Sequence, residues 1–178
     1  MLAKVQSATV VGLSAVPVSV EVDVSDGLPG VTIVGLPDTT VRESKERIRS
    51  AVKNSQMAWP QTRVTVNLAP ADVRKEGSAF DLPIALGLLA ASKQMEPSSI
   101  LSTVALGELA LDGTLRPVPG MLPVALSLKG KGKRLLVPAA NAPEAALVND
   151  LEVYPLRHLH QAAAKRAIEV ATTFRVDI

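Results

Sequence analysis

The chain has no cysteine. That excludes disulfides, thiolate metal sites and cysteine nucleophiles, and it fits a reducing, cytoplasmic setting. Aromatic residues are scarce: Trp59, Tyr154, Phe80 and Phe174 are the whole set. A core must therefore be packed from Val, Leu, Ile and Ala, which with the other apolar types make 47% of the 178 residues, enough for a folded domain rather than disorder. No apolar run approaches the ~20 residues that span a bilayer, and the start, MLAKVQSATVVGL, lacks the pattern of a signal peptide. Nor is there a strong excess of either charge. The net value of +2 does not by itself imply a nucleic-acid partner, so the placement of the charges matters more than their sum.

What is present reads as alternating β and α segments. Val5–Gly12, Val16–Val24 and Val31–Val34 are β-branched runs, and Val18, Val20, Val22 and Val24 alternate with Ser19, Glu21 and Asp23 as a strand with one wet face. Pro37-Asp38 opens a helix to about Lys53, capped by Asp38 or Thr40, with Val41, Ile48 and Val52 facing the core. Arg63–Leu68 is a strand, and a nearly all-apolar helix from about Asp81 to Ser92 must be buried. Thr103–Leu106 reads as a strand, and GELALDGTLRP as a hairpin turning at Asp112-Gly113. Gly120–Leu128 reads as a helix and Arg134–Val137 as a strand. Asn141–Val148, a strand at Leu151–Tyr154 and a last helix from about Leu156 follow. This order predicts a layered α/β (α+β) domain.

Three sets of residues invite chemistry. In RKEGSAFDLP, Ser78 stands on a turn before the apolar helix, either as a nucleophile or as a helix-start residue satisfying free N–H groups. A nucleophile needs a base; Lys75 is close only in sequence, and His158 and His160 lie in the last segment, where on a helix they would point to different faces. The chain has no Walker-type GxxxxGK[ST], and its two histidines have no second spaced ligand pair, so neither a nucleotide nor a metal site is expected.

The third set is basic. Arg42, Lys45, Arg49 and Lys53 recur at spacings of three and four, which at about 100° per residue gathers them on one side of their helix, with Glu43 and Glu46 nearby. Lys129, Lys131, Lys133 and Arg134 cluster in KGKGKR, and Arg74 and Lys75 precede the serine turn. These are either solvated surface or phosphate-backbone contacts for DNA of any sequence. The shortage of aromatics argues against base stacking as the main mode.

The segments VGLPDTTVRESKERIRSAVKNS, RVTVNLAPADVRKEGSAFDLPIALGLLAAS and LGELALDGTLRPVPGMLP resemble, in order and over essentially the whole chain, the N-terminal domain of the ComM/YifB family of magnesium-chelatase-like AAA+ proteins. The resemblance implies a fold like the proteolytic domain of Lon protease, within the ribosomal protein S5 domain 2-like group. It further implies a single Lon-like domain over residues 1–178, a fragment that a hexamer-forming AAA+ module would follow. ATP and Mg²⁺ would act in that module, with no cofactor in this domain. The family's activity would be that of a DNA helicase promoting branch migration during natural transformation.

Partners implied are DNA, other copies of the chain and its own AAA+ module, with no membrane. Lon-type proteases use a Ser–Lys dyad, and the resemblance places Ser78 at or near the serine and Leu122 where the lysine belongs. An alkyl side chain accepts no proton, and Lys129 and Lys131 lie ~two turns or more beyond it. The resemblance therefore implies a non-catalytic domain that supports assembly and DNA binding. The alternatives are a serine peptidase with an unusual base and a pure protein-interaction module.

Overall fold

A computed structural model describes residues 1–164. Its centre is a seven-stranded sheet built from β1 (Leu2–Val11), β2 (Ser14–Ser25), β3 (Gly30–Val34), β4 (Arg63–Ala69), β5 (Thr103–Ala105), β8 (Arg134–Pro138) and β9 (Glu152–Leu156) in the order β3-β4-β2-β1-β5-β8-β9. Only β2 runs antiparallel to its neighbours; β3 with β4, β1 with β5, β5 with β8 and β8 with β9 are parallel. The domain is thus mixed α/β with a mostly parallel sheet, as the segment order predicts. A small ladder of β6 (Glu108–Leu109) and β7 (Leu115–Arg116) stands apart from it.

The two halves of the sheet are covered differently, and the residue patterns say why. In β2, Val18, Val20 and Val22 are fully buried while Ser19, Glu21 and Asp23 stay half-exposed, so one face is packed and the other wet. In β8 every residue from Leu135 to Pro138 is buried, the near-continuous apolar run of a parallel strand covered on both sides. Helices α1 (Thr39–Asn54) and α2 (Asp81–Ala91) share a core with β1, β2 and β4. Helices α3 (Met121–Leu128) and α4 (Ala142–Ala145) share a second core with Val104, Leu135, Val137 and Val153.

All eleven residues of α2 are buried, because the helix lies between the sheet and α1. Gly87 lets its backbone press onto β2: a Cβ there would stand 2.6 Å from Val22 Cγ2. Helix α1 is capped by Asp38, whose Oδ1 accepts from Val41 N at 2.7 Å, and it buries Val41, Ile48 and Val52 as expected.

Two expectations need correction. The β6–β7 hairpin does not turn on a two-residue loop at Asp112-Gly113; Ala110 N donates to Thr114 O, so Leu111, Asp112 and Gly113 form the connection, with Gly113 at φ +90°. That is the longer hairpin turn in which a glycine takes the left-handed position. The last described helix, α5, starts at Leu159 rather than near Leu156, which ends β9, and spans Leu159–Ala163; the part of the expected helix beyond residue 164 lies outside the described residues.

Candidate functional site

The serine turn is held by one carboxylate. Asp38, while capping α1 through Oδ1, accepts from Gly77 N at 3.1 Å through Oδ2, and its own N–H donates to Lys75 O at 3.0 Å. These bonds fix the turn that carries Ser78 against the start of α1. The half-buried Ser78 hydroxyl donates to Glu108 Oε2 on β6, and the other Glu108 oxygen lies 3.8 Å from Arg116 Nη1. Thr9, Val10 and Pro119 wall a shallow pocket in front of it.

The helix-start role predicted for Ser78 is not what its side chain does. Helix α2 begins after Phe80 with no side-chain cap, and the serine hydroxyl turns to Glu108 instead. A Ser–Lys or Ser–His contact is not formed at Ser78 among the described residues. Ser78 Oγ hydrogen-bonds a carboxylate, not a lysine or histidine. Leu122 is a half-buried residue in the first turn of α3, whose N–H donates to Glu144 Oε1 at 3.0 Å.

Lys75 is the clearest correction among the basic residues. It has no solvent-exposed surface, and its ammonium donates to the carbonyls of Gly35, at 2.8 Å, and Pro70. A buried ammonium must be satisfied internally, so it cannot contact a phosphate outside. Burial pushes the Lys75 amine below its ordinary value, opposed by the charge of Asp72.

Beside this turn lies a pair absent from the predicted site. Arg47 donates from Nε to Asp81 Oδ2 at 2.7 Å and from Nη2 to Asp81 Oδ1 at 2.9 Å; Nη2 also reaches Thr40 O at 3.1 Å. Leu109 N donates to Asp81 Oδ2 at 3.1 Å, so one buried carboxylate joins α1, α2 and β6. Burial pushes the Asp81 carboxyl above the ordinary range, against the Arg47 hydrogen bonds and the Leu109 N–H; the same carboxylate holds Arg47 above its own ordinary value. The signal in the sequence was a lone Asp at the head of an apolar helix, which burial makes costly unless it is paired.

The remaining cations divide into separate groups. Arg42, Lys45, Arg49 and Lys53 are all exposed along α1, and none has an acidic partner within 4 Å among the described residues. Arg74 joins the start of this stripe, sharing a depression with Arg42, though it also pairs with Glu76 at 3.1 Å. Lys129, Lys131 and Lys133 belong to the turn between α3 and β8, across the sheet from α1; Arg134 donates to Leu101 O at 2.8 Å. The two basic groups therefore do not form one patch.

The histidines are structural partners of each other. His158 is the N-cap of α5: its ring Nδ1 accepts from His160 N at 3.2 Å and its Nε2 meets Asp112 O at 2.8 Å. Because His158 stands outside the helix, the two rings approach to 4.3 Å rather than pointing to different faces. Among the described residues no three His, Asp or Glu side chains converge as a metal site would require, and no helix is long and apolar enough to cross a membrane.

Comparison with known proteins gives this arrangement its relatives. The family described as subunit ChlI of Mg-chelatase matches residues 20–141. The competence protein ComM of Haemophilus influenzae is 48% identical over 153 residues, covering 86% of this chain and 30% of that protein. Uncharacterized proteins YifB of Salmonella typhimurium and Escherichia coli are 44% and 43% identical over 172 residues, 94% of this chain and 34% of theirs. The chain thus spans about a third of the length of the curated relatives it matches. By its family match and its similarity to ComM and YifB, the chain belongs to the magnesium-chelatase-like ChlI family.

Proposed function

We propose that this chain is a Lon-like, non-catalytic domain of a ComM-type AAA+ DNA helicase, acting in the cytoplasm. In this reading it helps the hexamer assemble and guides DNA, while ATP and Mg²⁺ work in the AAA+ module. Branch migration during natural transformation is the process it would serve. The observation that carries the DNA-binding part is the stripe Arg42, Lys45, Arg49 and Lys53: exposed, on one helix, and without an acidic partner within 4 Å among the described residues.

Phosphate contacts need cations free of internal partners and carry no base preference. The non-catalytic part is supported by the leucine at position 122, where the resemblance places the lysine of a Ser–Lys dyad. For assembly, Val11 and Leu13 at the tip between β1 and β2 stand in solvent, Leu13 at 94% exposure, as a contact with another chain requires.

The test is equilibrium binding to labelled duplexes of two unrelated sequences over a salt series. Equal affinities that fall steeply with salt support the reading; no binding, or binding that depends on sequence and ignores salt, refutes it.

A further inference from the structure

The chain's single tryptophan is not in its core. Trp59 lies on the connection between α1 and β4, packed partly against the main core and otherwise lining an open groove. Across that groove stand Lys45 and Arg49 of the α1 stripe, with Glu46 between them and Gln61 beside the ring. Among the described residues no other ring stacks on the indole.

The connection is held in shape rather than left loose. Gln94 grips it from both sides, its Oε1 accepting from Ala58 N at 2.8 Å and its Nε2 donating to Ala58 O at 2.7 Å. Pro60 fixes its own φ and restricts the backbone of Trp59 before it, and Gln61 Nε2 donates back to Trp59 O at 3.3 Å. A large flat ring on a braced loop binds at little entropic cost.

An indole beside two cations matches an unpaired base between two phosphates. The ring face takes a base of any identity, and Lys45 and Arg49 neutralise the flanking phosphates, leaving Glu46 as the one opposing charge. A paired duplex hides its base faces and cannot use the ring. We propose that this groove is a single-stranded nucleic-acid subsite, in which a base stacks on Trp59 while Lys45 and Arg49 hold the strand. The subsite rests on the DNA-binding function proposed above and adds to it a strand-separated ligand.

Because there is one tryptophan, its fluorescence reports the site without any substitution. The 178-residue chain is titrated with a mixed-sequence single-stranded DNA oligonucleotide, with the same sequence as a blunt duplex, and with inorganic polyphosphate. The subsite predicts that the single strand quenches Trp59 emission, while the duplex and polyphosphate bind without quenching. Trp59→Leu weakens the single strand about fivefold or more, the scale of one stacked base, and leaves the other two unchanged; Trp59→Phe restores part of the loss.

Single-strand binding without a change in emission overturns the subsite, as does an equal effect of Trp59→Leu on all three ligands. If the duplex binds and the single strand leaves Trp59 silent, the subsite falls and DNA binding stands. If none of the three binds, both fall.

Discussion

Arg47 and Asp81, thirty-four positions apart, meet in a two-point fork at 2.7 and 2.9 Å, with the carboxylate fully buried and the guanidinium side chain 21% exposed. The fork locks the middle of α1 to the first turn of α2, and so fixes the helix that displays the basic stripe. Removing Arg47 leaves the Asp81 carboxylate buried and alone, which costs about 3–5 kcal/mol. Arg47→Ala should therefore lower the urea midpoint severely, while Arg47→Met combined with Asp81→Leu should recover much of the loss. A loss under ~1 kcal/mol for Arg47→Ala would show that the pair does not tie the helices together.

Lys75 makes stability depend on alkaline pH. Burial lowers its folded value, so in the window between that value and the ordinary ~10.4 the unfolded chain binds the proton more tightly. Below the window both states carry the charge and the cost of burying it is full; above it both are neutral and the cost is gone. Stability contributed through this group thus rises with pH across the window. Denaturation of wild type and Lys75→Met at a series of alkaline pH values should show the difference moving in the wild type's favour; parallel profiles would contradict this.

Ser78 hydrogen-bonds the Glu108 carboxylate rather than the lysine or histidine that usually activates a serine nucleophile. A serine-directed fluorophosphonate should not label it in the intact chain. Ser78→Ala should cost about 1.5–3 kcal/mol, the scale of a hydrogen bond to a charged group, with the fold intact. Labelling that disappears in Ser78→Ala would restore the peptidase alternative.

Gly87→Ala should destabilise by about 1–3 kcal/mol, since the new methyl meets Val22 Cγ2 at 2.6 Å and both α2 and the inward face of β2 are packed in the core. Adding Val22→Ala should relieve part of the overlap. A neutral Gly87→Ala in a thermal melt would mean that α2 can move off the sheet.

Much of the architecture was legible in the residues. The alternation of Val18, Val20 and Val22 announced a strand with one wet face, and the apolar run after Asp81 announced a buried helix. The stripe on α1 was legible too, because helical spacing alone decides which of Arg42, Lys45, Arg49 and Lys53 share a side. What escaped depended on contacts between distant segments. Lys75 looks like a surface residue until Gly35 and Pro70 close over it, and nothing in Arg47 distinguishes it from its exposed neighbours until Asp81 arrives beneath it. Glu108 could not be read as the partner of Ser78 for the same reason. The groove around Trp59 forms only when the connection after α1 folds back beside Lys45 and Arg49.

The central claim, that the α1 face holds DNA by its phosphates, is tested most directly by neutralising it. Arg42→Gln, Arg49→Gln and Lys53→Gln are combined, and duplex affinity is measured against salt beside wild type. Each phosphate contact contributes ~0.9 to the slope of log affinity against log salt, so the triple variant should bind much more weakly, with a slope shallower by roughly 2–3. The corresponding change of Lys129, Lys131 and Lys133, across the sheet, separates this face from general loss of positive charge. An unchanged affinity and slope in the α1 variant would contradict the account.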